Sequence, residues 1–345
     1  MGPVFLTGGS GFVGGALLAD LVREQRPVRA LARSNAAADA VRSLGAQVIR
    51  GDLDDHAALL AGMRGCTTVF HVAGVNAMCL RDPAPMLHAN VAGSIAVVRA
   101  AAAAGVPRIV YTSSAATIGE PEGVVGNEGT THRGTFLSAY ERSKFLAEHE
   151  AFELAAQQGT ELVSVNPSSV QGPGRIGGSS RLLLDLVNGR LPVLVDTSVS
   201  IVDVQDCTRA HLLAETHGQP GARYLVSGAS LTIREAVGTL RRICGRPRRT
   251  MFAPRALAGA ARPITAITAR FGESDPSMCP EMVRTLLHGH RYDGSLAERE
   301  LGLRYTPLET TIRRTLAWYS ARGLSPAPHD TDGDSGEATP RATDT

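Results

Sequence analysis

The segment "SAYERSKFLAEHEA" (138–151) sets a tyrosine and a lysine four residues apart, Tyr140 and Lys144, in a strongly helical context. On an α-helix that spacing places both side chains on one face. A phenol ordinarily loses its proton near pH 10, and a neighbouring ammonium favours the phenolate. A tyrosine so placed can give a proton to a carbonyl oxygen or take one from an alcohol as hydride moves. Alone the pair is a weak signal, because Tyr and Lys meet at this spacing on many helices. Upstream, "VYTSSAAT" (110–117) reads as the end of a strand from which hydroxyls emerge. Ser114 there can hydrogen-bond the same substrate oxygen that Tyr140 serves, at the carboxyl edge where open α/β sheets bind ligands.

Hydride transfer needs a cofactor, and the start of the chain offers a place for one. In "VFLTGGSGFVGGALLADLV" (4–22), Gly8, Gly11 and Gly14 stand between a short apolar strand and a helical pattern. Gly8 can make the tight turn, Gly11 admits a pyrophosphate close to the backbone, and Gly14 permits tight helix–sheet packing. The anion then sits on unpaired amides at the helix N-terminus. A glycine-rich turn with no ligand is the bland reading; the strand–loop–helix context favours a dinucleotide. Thr7, Ser10, Phe12 and Val13 complete the expected loop contacts.

The second strand should choose the cofactor. A carboxylate at its end would bind the adenosine ribose, whereas an arginine accommodates a 2′-phosphate. The sequence reads "VRALARSN", with Ala32 then Arg33. NADP(H) is therefore expected, with NAD(H) the alternative if Arg33 is only a solvated charge. Asp52, followed by Leu53 in "RGDLDD", is placed to reach the adenine amino group or to cap the next helix.

These residues need a frame. Strand-like runs at 3–7, 28–32, 46–50, 67–73, 107–113 and 160–166 alternate with helical runs at 14–25, 36–44, 54–62, 86–104 and 138–157. Such alternation predicts an α/β fold, a doubly wound parallel sheet of the Rossmann kind. Residues 1–170 read as the dinucleotide-binding domain and 171–323 as a smaller mixed substrate lobe interleaved with the sheet. Helices are predicted at 180–189, 279–288 and 308–321. Another, in "LTIREAVGTLRRICG", opens on Thr232 and Glu235 in capping-box spacing and closes on Gly245. The stretch 324–345 has the composition of a disordered tail.

Composition excludes more than it assigns. Apolar residues make up 43% of the 345 and charged residues 20%, with a net charge of +2. That balance argues against nucleic acid or an anionic membrane as partner. No run of about 18 uninterrupted apolar residues predicts a membrane span, and no leader precedes the first strand. Five cysteines (Cys66, Cys79, Cys207, Cys244, Cys279) are widely spaced without a C-x-x-C pair, which suits reduced thiols in a cytoplasm. His71, His88, His132 and His149 lack metal-ligand spacing, so no metal is expected.

Taken together, T7-G8-x-x-G11-x-x-G14, "VFHVAG" (69–74), "NVAGS" (90–94), "VYTSSAATIG" (110–119), Tyr140-x-x-x-Lys144 and "NPSSVQGPG" (166–174) resemble the extended short-chain dehydrogenase/reductase family. The likeness spans residues 1 to about 320, within the NAD-dependent epimerase/dehydratase branch. The chain looks closest there to dihydroflavonol-4-reductase-like, 3β-hydroxysteroid-dehydrogenase-like and hopanoid-associated sugar-epimerase-like proteins. The resemblance implies Ser114, Tyr140 and Lys144 as the catalytic set, with Lys144 also holding the nicotinamide ribose. It implies that Ala73 and Gly74 line the cofactor, that Pro167 to Val170, including Ser169, pass beside the nicotinamide, and that the chain is a homodimer.

Two departures shape the expected reaction. Dehydratases of this family carry an acidic pair after the catalytic hydroxyl, where this chain has Ala115 and Ala116; epimerases usually have an acidic residue where Arg33 stands. A ketone or aldehyde reductase, or alcohol dehydrogenase, with exchangeable cofactor is therefore expected. A nucleotide-sugar epimerase holding NAD tightly is the alternative, and a non-catalytic NADP(H)-sensing regulator a third. In the second half, Asp203 and Asp206 of "IVDVQD" read as structural. Arg241, Arg242, Arg246, Arg248 and Arg249 form either a solvated face or a phosphate site, and loop 120–137 should wall the pocket.

Overall fold

The computed structural model describes residues 2–191, 193–244, 250–254 and 279–327. Short apolar strands with no polar alternation require cover on both faces, and the architecture supplies it. The strands are β1 (Val4–Thr7), β2 (Val28–Ala32), β3 (Gln47–Arg50), β4 (Thr68–His71), β5 (Arg108–Thr112), β6 (Glu161–Pro167) and β10 (Arg223–Val226). They form one seven-stranded parallel sheet in the order β3-β2-β1-β4-β5-β6-β10. The direction of winding switches between β1 and β4, so a crevice opens beyond their carboxyl ends.

On one face pack α1 (Phe12–Arg23), α2 (Asn35–Ser43), α8 (Val204–His217) and α11 (Ser295–Leu301), burying Val4, Leu6, Leu17, Leu21, Val163 and Val165. On the other lie α3 (His56–Met63), the run from α4 (Ala84–Leu87) through α5 (Gly93–Ala103), and α6 (Ala139–Gln158), around Phe5, Val69, Val97 and Ile109. Each such side chain, fully buried, contributes about 1.5–3 kcal/mol of apolar transfer energy. The run Ala84–Ala103 is long and apolar enough on paper to cross a membrane. Here its Val97, Val98, Ala100 and Ala101 are spent on the core against α3 and α6. Its helical path is interrupted by one π turn, His88–Ala92.

The smaller lobe carries a three-stranded sheet, β11 (Ala229–Thr232), β9 (Ser198–Asp203) and β7 (Ser169–Gln171), and a two-stranded pair, β12 (Met251–Ala253) with β8 (Val193–Val195). Around them stand α7 (Ser179–Val187), α9 (Ile233–Cys244), α10 (Pro280–His288) and α12 (Leu308–Ser320). The capping box opens α9 as its spacing predicts: the Thr232 amide donates to Glu235 at 2.7 Å, and the Glu235 amide donates to the Thr232 hydroxyl at 3.2 Å. Asp203 caps α8 through the Gln205 amide and accepts from Thr311 and Arg314. Asp206 accepts from the amide and hydroxyl of Thr306. Both aspartates are thus struts between α8 and the segment 306–314. Gly245, Arg246, Arg248, Arg249 and most of the 324–345 tail lie outside the described residues.

One expectation is overturned. Cys79 and Cys279 are joined in a disulfide; Cys66 and Cys207 are buried free thiols, and Cys244 lies outside any disulfide. The partners are 200 residues apart, so no local spacing announces them; they meet because α10 folds back onto the loop after β4. The thiol argument for a reducing compartment falls with this pair.

Candidate functional site

Lys144 sits on the buried face of α6 and is 5% exposed. Its ammonium donates to the Thr112 carbonyl at 2.8 Å and to the Tyr111 hydroxyl at 3.3 Å, and lies 4.9 Å from the centre of the Tyr111 ring. Burial pushes the Lys144 ammonium below its ordinary value, and the nearby Tyr140 and Glu148 charges oppose that. A methyl group added at Gly74 would stand 3.8 Å from this ammonium. Gly74, expected to line the cofactor, therefore stands beside the expected catalytic lysine. Tyr140, one turn earlier, is half-buried. The Ser138 hydroxyl caps the helix by accepting from the Glu141 amide at 3.1 Å.

Ser114 begins the 3-10 turn Ala115–Ile118 directly beyond β5. Its Oγ accepts from the Ala116 amide at 3.2 Å, which leaves its own proton to donate. A buried polar group holds the Ser114 backbone from behind. Asn166 Nδ2 donates to the Ser114 carbonyl at 3.3 Å, to Thr117 Oγ1 at 3.0 Å and to Glu148 at 2.5 Å. Glu148 also accepts from Ser164 and pairs with Arg223 at 3.3 Å. Glu148 is the next residue along the helical face that carries Tyr140 and Lys144, a periodic continuation that the sequence reading passed over.

A second missed residue is Asn90, at the centre of the π turn. Its amide accepts from the Val75 amide at 2.7 Å and donates to the Val75 carbonyl at 2.9 Å and to the Ser143 hydroxyl at 2.8 Å. One side chain thus ties the loop after β4 to α6. π turns recur at functional sites, and here the extra residue turns Asn90 inward. A third is Glu281, from α10. One of its carboxylate oxygens accepts from the Ala139 amide at 2.9 Å, the other from the Cys79 amide at 3.1 Å. Beside the Cys79–Cys279 bond, it fastens the smaller lobe to the start of the helix bearing Tyr140.

At the glycine turn, Gly8 has φ +76°, and a Cβ there would lie 2.6 Å from the Ala73 amide nitrogen. Gly14 presses on the Gly8 carbonyl, and a Cβ there would lie 2.1 Å from its oxygen. Gly11 caps α1 without any side-chain bond to the first turn. The cradle and its open amides fit a pyrophosphate. Thr7 connects this turn to the next strand. The Ala73 amide donates to its hydroxyl at 3.1 Å, which lies 2.7 Å from His71 Nδ1. His71 Nε2 lies 3.1 Å from the Ser94 hydroxyl, which donates to the Asn90 carbonyl at 2.6 Å. With His71 neutral and its proton on Nε2, donors and acceptors match along this chain. Ser10 and Gly11 are exposed; Phe12 and Val13 are half-buried, and the Arg175 guanidinium stands 5.8 Å over the Phe12 ring.

Arg33 and Asp52 lie away from this group, exposed beyond the ends of β2 and β3. Asp52 does not cap α3. It accepts from the amides of Asp54 and Asp55 in a turn, and Asp55 makes the cap by accepting from Ala58. Leu53 is half-buried against Gly93. Pro167 ends β6; Ser169 and Val170 belong to β7, beside Ile201 and Val202.

Two buried histidines brace this framework and make it acid-sensitive. Burial lowers His71 to about 3, and Lys144 adds to that; burial lowers His211 to about 4. His211 accepts from Thr112 at 2.7 Å and donates to the Cys207 carbonyl at 2.7 Å. Unfolded histidine binds protons that the folded state refuses, so stability is complete above pH of about 6.5 and falls as pH drops toward 4. The expected slope is about 1.4 kcal/mol per pH unit for each histidine. Urea unfolding midpoints measured from pH 7.5 to 4.5 check it; a profile flat to pH 5 contradicts neutral burial.

The sheet order, the glycine turn at its first crossover and the lysine behind the β5 end define a Rossmann-type enzyme of the extended short-chain dehydrogenase/reductase class. Within it, the chain belongs to the NAD dependent epimerase/dehydratase family, which residues 4–227 match. It is 32% identical over 263 residues to a dihydroflavonol 4-reductase of Zea mays, covering 70% of this chain and 74% of that one. It is 31% identical over 284 residues to a UDP-glucose 4-epimerase of Streptomyces lividans, covering 74% and 84%. Among solved structures, gox2253 superposes with a TM-score of 0.83 at 27% identity, over 94% of this chain and 99% of that one.

Proposed function

We propose that this protein is an NAD(P)-dependent oxidoreductase that interconverts a ketone or aldehyde with an alcohol, preferring NADP(H). The observation that carries the reading is Lys144: a buried ammonium held by Thr112 and Tyr111, one helical turn from Tyr140 and facing Gly74. Among the described residues no carboxylate is in direct contact with this ammonium; such burial is costly, and an ordering role for a phenol and a cofactor ribose accounts for it. The nicotinamide, when bound, supplies or takes up the hydride. Tyr140 gives its proton to the carbonyl oxygen, or takes one from the alcohol. The Ser114 hydroxyl, its oxygen already engaged by Ala116, donates to that same oxygen and orients it. Lys144 favours the phenolate form and holds the ribose. Thr7, Gly8, Ser10, Gly11, Phe12, Val13 and Gly14 would hold the pyrophosphate side, and Ala73, Gly74 and Pro167 to Val170 the nicotinamide side.

The preference for NADP(H) rests on Arg33, exposed directly after Ala32 with no carboxylate at the strand end. Loss of a charge-assisted bond to a phosphate costs roughly 1.5–3 kcal/mol. Arg33→Ala is therefore expected to raise KM for NADPH by roughly ten- to hundredfold and leave that for NADH unchanged. Steady-state kinetics over a panel of ketones and aldehydes with both cofactors tests reaction and preference together. Tightly bound NAD after purification, with epimerisation of a nucleotide sugar and no net cofactor turnover, would instead favour the epimerase reading that the Streptomyces relative suggests.

A further inference from the structure

Glu120 converges with two histidines some 170 residues further along the chain, a grouping that sequence spacing does not announce. Glu120 follows the 3-10 turn Ala115–Ile118; His288 ends α10 and His290 lies two residues on. Glu120 Oε1 is 2.6 Å from His290 Nδ1 and 3.5 Å from His288 Nε2, and the three ligand atoms lie within 4.8 Å of one another. The carboxylate is 1% exposed, and its Oε2 has no hydrogen-bond partner among the described residues. A buried, half-satisfied carboxylate facing two imidazoles has the composition of a metal site in need of its cation.

The backbone around it is built to hold this convergence. Gly289, between the two histidines, has φ +67°, and a Cβ there would lie 2.3 Å from Thr197 Oγ1 and 3.0 Å from the Ser198 amide nitrogen. Only glycine fits that turn. The His290 amide donates to the Ser198 carbonyl at 3.1 Å, and the Gly126 amide donates to the Arg291 carbonyl at 2.8 Å. The His290 ring stacks on Tyr292 at 5.7 Å. Arg133 donates to the Glu120 carbonyl and pairs with Glu141, so its positive charge is already matched.

We propose that Glu120, His288 and His290 bind one divalent transition-metal ion, of which zinc is the type, and that the ion ties loop 120–137 to the end of α10. Two imidazoles with one carboxylate suit zinc, cobalt or nickel better than magnesium or calcium. Tetrahedral zinc with bonds near 2.0–2.2 Å sets ligand atoms about 3.4 Å apart. His288 already stands at that distance from Glu120, and His290, partly exposed, has to draw back by less than about 1 Å. The fourth position is left to water. This site is independent of the hydride-transfer reading.

The test is titration of the full-length chain, dialysed against chelator, with Co²⁺ and with Zn²⁺ at pH 7.5. One equivalent of Co²⁺ should give visible d–d bands without the near-ultraviolet sulfur band that Cys66, Cys207 or Cys244 would add. One equivalent of Zn²⁺ should displace it and raise the thermal midpoint. Glu120→Gln and His290→Ala should each weaken zinc at least tenfold. Failure of the wild-type chain to take up one equivalent at micromolar metal overturns the proposal, whatever the variants do. So does undiminished binding in a His288→Ala/His290→Ala double variant, which would mark an adventitious ion only.

Discussion

Tyr140→Phe is expected to lower turnover by roughly a hundred- to ten-thousandfold, the range that a positioned acid–base group supplies, with nucleotide affinity unchanged. The substitution removes one oxygen and keeps the ring, so the packing of α6 is conserved. Its effect should appear in kcat and in kcat/KM alike, because the lost interaction belongs to the transition state. Lys144 keeps its bonds to Thr112 and Tyr111, so nucleotide binding measured by quenching of protein fluorescence should stay within about twofold, since neither partner of the ribose contact is altered. Wild-type turnover in this variant would mean that another group moves the proton.

The second large effect is at the glycine turn. Gly14→Ala drives a methyl group to within 2.1 Å of the Gly8 oxygen and 2.7 Å of its carbonyl carbon. Both obstacles are backbone, and Gly8 is itself pinned against Ala73. The glycine turn must open, withdrawing the amides that face the pyrophosphate. Losing two hydrogen bonds to a charged group, at about 1.5–3 kcal/mol each, weakens nucleotide binding by roughly hundredfold or more. Gly15→Ala is the internal control, since its Cβ meets only the Gly9 oxygen at 3.3 Å. Equilibrium titration of both variants with NADPH should separate them; equal affinities would deny the turn its assigned role.

How far the sequence carried the fold depended on how local the signals were. Six strands of the large sheet and the glycine turn were legible, because apolar runs and βα spacing are short-range patterns. The seventh strand, "RYLV" (223–226), was not, since four residues after a polar helix give no periodicity. The capping box of α9 and the strut roles of Asp203 and Asp206 were readable from residue type and offset. Asp52 was misassigned as a possible cap because three aspartates crowd one turn, and only geometry separates the cap, Asp55, from its neighbour.

Around the candidate site the division is the same. Ser114, Tyr140 and Lys144 stand out by motif. Asn90, Glu148 and Glu281 act through tertiary contacts; Glu148 left a trace on the face that α6 shares with Lys144, and Asn90 stood in the "NVAGS" motif without a role of its own. The Cys79–Cys279 bond and the grouping of Glu120 with His288 and His290 join segments some 170 to 200 residues apart, beyond the reach of any spacing rule.

The central claim is that this chain moves hydride directly between nicotinamide and a carbonyl carbon while Tyr140 handles the proton. The most direct measurement is a single turnover with NADPH deuterated at C4, on any ketone or aldehyde that the panel identifies, with the product examined by mass spectrometry and NMR. The account predicts one deuterium on the new carbinol carbon, from one face of the ring, and none at the hydroxyl once exchanged with water. A carbinol carbon carrying solvent hydrogen, or labelled cofactor recovered intact beside reduced product, would contradict it.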